Sequence, residues 1–207
     1  MRAFIYCGGE LHAELVTELP QQGDLVIAAD GGYRHALACG AAVQVLLGDF
    51  DSLGEASLPE GLEVHRLPPE KDLTDTQLAV DLALQRGATE LVLVGGLGGR
   101  LDHTLSNLAI LERLEAQHLH GLITNGKNRV RFLRNNSTLI PRSSYRYLSL
   151  IAADEVVRGV TVEGCKYPLK RARLTRTLQY AVSNELTGNC ALIDVRRGGV
   201  WIVESRD

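Results

Sequence analysis

Short apolar runs alternate, up to about Asn125, with segments in which apolar residues recur every three or four positions. The runs are typical of parallel strands buried on both faces, and the spaced pattern is typical of amphipathic helices. The predicted strands cover residues 2–7, 25–29, 43–47, 62–67, 91–94 and 120–124. The predicted helices cover residues 11–19, 33–37, 75–85 and 102–111. This alternation predicts a doubly wound α/β domain.

After about Asn125 the pattern changes to short runs in which apolar and polar residues alternate. These runs lie at residues 130–133, 145–151, 156–162, 190–195 and 200–203, with turn residues between them. Alternation predicts strands with one buried face, so this part should form an antiparallel β-sandwich. We therefore predict two domains: residues 1–127 with a mostly parallel, Rossmann-like sheet, and residues 128–207 with the sandwich.

The composition argues against several classes of protein. The chain has 207 residues, of which 45% are hydrophobic and 23% charged, as in ordinary soluble proteins. The net charge of −3 does not indicate a nucleic-acid-binding surface, and no run approaches the ~20 apolar residues of a membrane span. The four cysteines show no CxxC pairing, which predicts reduced thiols in a cytoplasmic protein.

Two carboxylates follow the third predicted strand, at Asp49 and Asp51. Side chains alternate along extended backbone, so these two should point the same way while Phe50 points the other. Like charges held this close repel unless a cation binds between them, and oxygen ligands favour Mg²⁺ over zinc. Taken alone, however, such a pair is more often a solvated acidic turn.

Four further aspartates should reach the same edge of the sheet. Asp30 ends the second strand, Asp72 and Asp75 precede a helix for which Thr74 or Asp72 is the cap, and Asp102 begins the next helix. Any one of Asp72, Asp75 and Asp102 is explained as a helix cap or a first-turn charge. Because ligands bind at the carboxyl ends of parallel strands, the six aspartates together predict a cation-binding site there.

A glycine-rich segment, residues 95–100, joins a strand to a helix opposite these carboxylates and ends in Arg100. Its backbone N–H groups, Arg100 and nearby Lys71 are suited to phosphate binding. The segment matches neither the P-loop nor the dinucleotide fingerprint. With the carboxylates, it predicts chemistry on a nucleoside triphosphate, while His103 is either an exposed helix-start residue or a catalytic one.

Four motifs follow one another along this part of the chain: Asp30-Gly31-Gly32, Gly48-Asp49-Phe50-Asp51-Ser52, Lys71-Asp72-Leu73-Thr74-Asp75 and Gly98-Gly99-Arg100-Leu101-Asp102-His103. In this order and spacing, they resemble the thiamine pyrophosphokinase family. In the β domain, Gly164-Cys165-Lys166-Tyr167-Pro168-Leu169 and Ser183-Asn184-Glu185 resemble two further family signatures. The resemblance covers essentially the whole chain.

The resemblance implies transfer of pyrophosphate from ATP to the hydroxyethyl group of thiamine, with Mg²⁺, in a homodimer whose active sites lie between subunits. It implies metal binding by Asp49, Asp51 and Asp75, which with Asp30 and Asp102 make up the catalytic set. It implies ATP binding by Lys71, Asp72, Thr74, Gly98, Gly99, Arg100 and His103. It implies thiamine binding by Tyr167, Ser183 and Asn184 of the partner subunit.

Several alternatives stay open on the sequence alone. Asp30 and Asp102 are equal candidates for accepting the alcohol proton. Tyr167 stands where some members of the family carry tryptophan, and it is either a stacking surface or an ordinary strand residue. The same apparatus could also serve a pyrophosphokinase acting on a pterin alcohol, or a non-catalytic module that senses a metal–nucleotide complex.

Overall fold

The computed structural model describes residues 1–49, 61–68 and 72–207. Contacts divide the chain into two compact units, Met1–Gly126 and Lys127–Asp207. The functions that the sequence analysis assigns to residues 1–127 and 128–207 remain predictions. No helix among the described residues is long and apolar enough to cross a membrane.

The N-terminal unit is built on a parallel sheet. Its strands are β1 (Arg2–Tyr6), β2 (Leu25–Ala29), β3 (Val45–Gly48), β4 (Glu63–Arg66), β5 (Glu90–Val94) and β6 (His120–Thr124). Its helices are α1 (Gly32–Ala38), α2 (Asp75–Gln85) and α3 (Leu101–Ala116). The strand order is β4-β3-β2-β1-β5-β6, and every neighbouring pair is parallel. The predicted α/β class is confirmed.

The central strands are covered on both faces, as their unbroken apolar sequences require. Phe4 and Tyr6 of β1 pack in one cluster with Ala36 of α1, while α2 packs against β1, β2 and β3. The first residue of α1 lies directly against β1. A Cβ atom at Gly32 would lie 1.9 Å from the carbonyl oxygen of Tyr6, so this approach requires glycine.

The predicted helix at residues 11–19 is wrong, since this segment contains only a 3-10 turn, Ala13–Leu15. The backbone bonds to distant residues instead: the N–H of Glu10 donates to the carbonyl of Leu97, and that of His12 to the carbonyl of Asn125. These tertiary hydrogen bonds fix the start of the segment against distant parts of the chain, and the turn that follows is closed by i to i−3 bonds, from Leu15 to His12 and from Val16 to Ala13.

The inward face of α2 is made of small side chains rather than leucines. Leu78 and Leu82 are only partly buried, and the fully buried positions are Thr76, Ala79, Val80 and Ala83. Small residues therefore form the contact face of this helix, which allows its backbone to approach the sheet closely.

The C-terminal unit contains two antiparallel sheets. One has the order β7 (Asn128–Arg134), β13 (Gly199–Ser205), β9 (Tyr147–Ala152); the other has the order β11 (Leu169–Thr175), β10 (Val156–Glu163), β12 (Cys190–Arg197), β8 (Ser137–Pro141). Apolar side chains from both sheets form one core, including Leu150 and Val200 from the first and Val160 and Ile193 from the second. The predicted sandwich is confirmed, although β8 and β11 were not predicted.

A buried ion pair braces the first of these sheets. Glu204 on β13 is 3% exposed and accepts hydrogen bonds from the Arg129 guanidinium at 2.8 and 2.5 Å. Arg131 and Ser143 donate to the same carboxylate. Burial alone would raise the pKa of Glu204, but the hydrogen bonds from Arg129 and the charges of both arginines outweigh it and lower that pKa.

We expect Glu204→Gln to destabilise the C-terminal unit by about 3 kcal/mol at pH 7, because it leaves buried arginine charge without its partner. Since the folded-state pKa of Glu204 is lowered, its stabilisation is present at neutral pH and is lost as the pH falls below about 4.5. Urea unfolding can be followed by Trp201, the only tryptophan of the chain, on β13.

The matched control is Glu163→Gln, the same change at an exposed position of β10. It should leave the free energy of unfolding within ~0.5 kcal/mol of wild type. The difference between wild type and Glu204→Gln should shrink as the pH is lowered from 7 to 4. A difference that stayed constant with pH would contradict the proposed role of the ionised carboxylate.

Candidate active site

The strand order of the N-terminal unit creates a crevice at the carboxyl ends of β1 and β5. From β1 the chain proceeds outward through β2 and β3 in one direction, and β5 and β6 lie in the other. Ligands of open α/β sheets bind at such a switch point. A cleft of about 320 Å³ lies there, lined by Cys7, Gly8, Gly9, Glu10, Ala29, Asp30, Thr74, Asp75, Thr76, Gly95, Gly96, Gly98, Gly99, Arg100, His103 and Asn107.

Two glycine-rich turns meet at this cleft, one after β1 and one after β5. The N–H of Gly9 donates to the carbonyl of Gly95 at 2.9 Å, and the N–H of Glu10 donates to that of Leu97 at 2.9 Å. A Cβ atom at residue 9 would lie 2.6 Å from the Gly95 oxygen, so the approach of the two turns depends on glycine.

Side chains of α3 hold the second turn from its other side. The buried Asn107 donates from Nδ2 to the Gly96 carbonyl at 2.8 Å, and Thr104 donates from Oγ1 to the Gly98 carbonyl at 3.3 Å. The turn is therefore fixed in shape before α3 begins. Neither residue was predicted from the sequence, because a hydrogen bond from a side chain to a main-chain carbonyl leaves no recognisable sequence pattern.

Glu10 was also missed, although it lines the cleft. Its Oε1 accepts a hydrogen bond from the N–H of Gly99 at 3.2 Å. The N–H of Gly99 in this turn therefore already donates to a carboxylate, as it could to another anion. Only the glycine at position 98 leaves room for this side chain, since a Cβ there would lie 2.6 Å from the Glu10 carboxyl carbon.

The structure brings Asp30 and Asp75 to the same cleft. Asp30 ends β2 in the left-handed region, with φ of 45°, and its N–H donates to the Leu47 carbonyl at 2.8 Å. Gly48 lies against Asp30, since a Cβ there would be 3.1 Å from the Asp30 Cα. Asp49 directly follows this contact, so neighbouring strand ends carry Asp30 and Asp49.

Local sequence places Asp75 at the start of α2. Thr74 caps this helix: its Oγ1 accepts from the N–H of Gln77 at 3.2 Å, and its own N–H donates to the Gln77 side chain at 3.0 Å. This reciprocal capping box fixes the first turn and, with it, both Thr74 and Asp75 at the cleft. Asp72 is exposed and is not among the lining residues.

Arg100 and Asp102 lie at the start of α3 and pair with each other. The guanidinium donates through two nitrogens to the two carboxylate oxygens, at 3.1 and 2.6 Å. The hydrogen bond from Arg100 lowers the pKa of Asp102. Arg100 and His103 line the cleft, whereas Asp102 does not. Of the Arg100–Asp102 pair, only the cationic side chain therefore borders the cleft.

The donor chemistry of the cleft fits a hard divalent cation. Asp30 and Asp75 line the cleft with carboxylate oxygens, which suit Mg²⁺ better than softer metals, whereas Asp49, at the end of β3, is not among the lining residues. Asp51 and Lys71, predicted as a metal ligand and a phosphate-binding residue, lie outside the described residues. Among the described residues, no three His, Cys, Asp or Glu side chains cluster closely enough to hold a metal.

A second cavity, of about 230 Å³, lies in the C-terminal unit. Its walls are largely apolar, with the polar groups of Tyr167, Tyr180 and Asn184; the other lining residues are Leu148, Leu150, Val162, Leu169, Ala181 and Val182. Of the three residues predicted to bind thiamine, Tyr167 and Asn184 lie here. Ser183 does not line the cavity; its backbone N–H donates to Ser149 Oγ at 2.9 Å.

Two thiamine pyrophosphokinases are similar in sequence to most of the chain. In sequence, the chain is 29% identical to thiamine pyrophosphokinase of Bacillus subtilis over 204 residues, covering 93% of this chain and 92% of that protein. It is 25% identical to thiamin pyrophosphokinase 1 of Caenorhabditis elegans over 173 residues, covering 78% and 71% of the two chains.

Solved structures give the same result. The crystal structure of thiamine pyrophosphokinase from Bacillus subtilis superposes with a TM-score of 0.88 at 26% identity, covering all of both chains. A thiamin pyrophosphokinase family protein from Enterococcus faecalis superposes with a TM-score of 0.85 at 28% identity, again over all of both chains.

Two family descriptions match consecutive parts of the sequence. "Thiamin pyrophosphokinase, catalytic domain" matches residues 16–123, and "Thiamin pyrophosphokinase, vitamin B1 binding domain" matches residues 136–200. The first match alone spans more than half of the chain, and the cleft and the second cavity fall largely within the two matches. The chain therefore belongs to the thiamin pyrophosphokinase family.

Proposed function

We propose that the chain transfers the pyrophosphoryl group of ATP to the hydroxyethyl oxygen of thiamine, giving thiamine diphosphate and AMP. The observation that carries this proposal is the cleft between β1 and β5, where aspartates face an anion-binding glycine turn. In the reaction, the thiamine oxygen forms a bond to the β-phosphorus of ATP. The bond from the β-phosphorus to the oxygen that bridges it to the α-phosphorus breaks, AMP leaves with that oxygen, and the alcohol proton passes to a base.

The residues of the glycine turn bind the triphosphate in this proposal. The N–H groups of Gly98 and Gly99 and the guanidinium of Arg100 provide donors at the N-terminus of α3, and the Gly99 N–H exchanges the Glu10 carboxylate for a phosphate oxygen. Thr74 and His103, which also line the cleft, complete the nucleotide site. Arg100 exchanges its carboxylate partner Asp102 for phosphate oxygens when ATP binds.

Asp49 and Asp75 would hold Mg²⁺, together with Asp51. When bound, this ion would neutralise negative charge on the phosphates and on the leaving AMP. The aspartates themselves set its position, because Asp75 is fixed by the capped helix α2 and Asp49 by the end of β3. Asp72 and Lys71 are assigned to the surrounding nucleotide site on the family resemblance alone.

The assay for this function supplies ATP, Mg²⁺ and thiamine and measures AMP and thiamine diphosphate. We expect equal amounts of the two products, no reaction after chelation with EDTA, and recovery when Mg²⁺ is restored. A hydroxymethyl pterin offered in place of thiamine should give no AMP. Turnover of the pterin alone would support the alternative pyrophosphokinase, and nucleotide binding without any AMP would support the non-catalytic sensor.

We assign the proton-accepting role to Asp30 rather than Asp102. Asp30 lines the cleft, as Asp75 does, whereas Asp102 does not line it and is the worse placed of the two to meet the alcohol. The sequence alone left Asp30 and Asp102 as equal candidates for this role.

We expect Asp30→Asn to lower kcat by about 10²–10³-fold, because the amide cannot accept the alcohol proton. Asparagine is the matched replacement, since it tolerates the left-handed backbone of residue 30 as aspartate does. Asp102→Asn is the comparison variant and should lower kcat by less than about tenfold. The kcat of each variant is measured by steady-state kinetics with saturating ATP and thiamine. A larger loss of kcat in Asp102→Asn than in Asp30→Asn would reverse the assignment.

We further propose that the enzyme is a homodimer and that each active site combines residues of two subunits. The support is the family resemblance and the division of labour along the sequence: candidate phosphate-binding residues precede Asn125, and candidate thiamine-binding residues follow Gly164. A two-fold symmetric dimer would contain two such sites.

Mixed dimers test this proposal. Asp49→Asn and Tyr167→Ala chains, carrying different affinity tags, are expressed together, and dimers with both tags are purified. Each mixed dimer should contain one site with both defects and one with neither, so its specific activity should be about half that of wild type at low thiamine. Mixed dimers no more active than the better parent would mean that each chain houses a complete site, and recovery of monomers alone would contradict the dimer.

A further inference from the structure

Asn184 makes three hydrogen bonds with its side-chain amide, all to main-chain groups. Its Oδ1 accepts from the N–H of Tyr167 at 3.0 Å and from the N–H of Glu185 at 3.0 Å. Its Nδ2 donates to the carbonyl of Tyr167 at 2.8 Å. The amide therefore satisfies both backbone groups of Tyr167, much as a neighbouring strand would.

The backbone of Asn184 is fixed as well. It exchanges two hydrogen bonds with Leu148 of β9, at 2.8 and 3.0 Å. Leu148 is 2% exposed and belongs to the core of the C-terminal unit. Asn184 thus connects a rigid strand to the loop segment that carries Tyr167.

The residue held in this way forms part of the cavity wall. Tyr167 is 60% exposed, so packing around its ring does little to fix the orientation of the side chain. The Lys166 ammonium lies 5.6 Å from the ring centroid, which places a cation over the ring at cation–π distance. Tyr180 supplies a second aromatic wall, and its hydroxyl donates to the Arg173 carbonyl at 3.0 Å.

We propose that Asn184 is a positioning residue that acts through Tyr167, rather than a residue that binds thiamine with its own amide. The inference rests on the proposed function, which makes a flat cationic ring system the ligand of this cavity. An amide already engaged three times has at most one N–H left for a ligand. The affinity for the ring then depends on the aromatic face of Tyr167, whose backbone Asn184 holds in place.

A double-mutant cycle separates the two roles. Asn184→Asp keeps the acceptor for the Tyr167 N–H but sets a carboxylate against the Tyr167 carbonyl, and Tyr167→Leu removes the aromatic face. Each single variant should raise the KM for thiamine about tenfold, with kcat and the KM for ATP within about twofold of wild type. If Asn184 acts through Tyr167, the double variant should match Tyr167→Leu within about twofold.

Asn189→Asp is the matched control, the same change at an exposed position of the same segment. It should leave the KM for thiamine unchanged. If Asn184→Asp does not fold, Asn184→Ser takes its place in the cycle, because it removes the amide contacts without adding charge. Thermal unfolding of each variant verifies that the fold is kept.

If the two effects on the KM for thiamine multiply, the double variant has a KM about a hundredfold above wild type. That result would mean that Asn184 contacts thiamine directly and would overturn the proposal. An Asn184 variant with unchanged KM, or with equal losses for thiamine and ATP, would overturn it as well. The wild-type enzyme distinguishes this failure from failure of the proposed function. A wild type that does not turn over thiamine overturns the function itself, whereas an active wild type with multiplied effects overturns the positioning role alone.

Discussion

Charge repulsion at the carboxyl ends of the parallel strands is the constraint on which the N-terminal unit depends. The cleft is lined by the carboxylates of Glu10, Asp30 and Asp75 and by the single guanidinium of Arg100, counting the charged groups of the described residues. A polyphosphate bound in such a cleft adds further negative charge. Binding therefore requires compensating cations, and the fixed geometry of α2 and of the glycine turn determines where positive charge and donors can lie.

The elements that local sequence specifies were predicted well. The start of α2 follows from its Thr74 cap, and β2 follows from an unbroken apolar run. The wrong helix at residues 11–19 has helical spacing too, but the chain at its start is held by hydrogen bonds from Glu10 and His12 to Leu97 and Asn125, more than eighty residues away. Strands β8 and β11 escaped prediction because their sequences mix charged or turn-forming residues with few apolar ones.

The functional sites show the same difference between features specified by local sequence and features that depend on distant contacts. Aspartates and glycines in ordered motifs point to the cleft, and the structure places Asp30, Asp75 and Arg100 there. Glu10 and Asn107 carry no motif, since their contribution is one hydrogen bond each to a turn distant in sequence. Residue type alone also cannot distinguish a side chain that contacts a ligand from one that holds a neighbouring residue in place. For Asn184 the distinction rests on its three side-chain hydrogen bonds to main-chain groups, which only the structure shows.

The exposed strand β4 has a consequence for how the protein behaves at high concentration. Within the described residues β4 pairs with β3, and its sequence places Glu63, His65 and Arg66 along a strand that is largely exposed. A second chain adding a strand there would have to desolvate these polar groups and break the contacts of Glu63 with His65 and Arg86. The charged side chains of this edge thereby make it a poor template for aggregation.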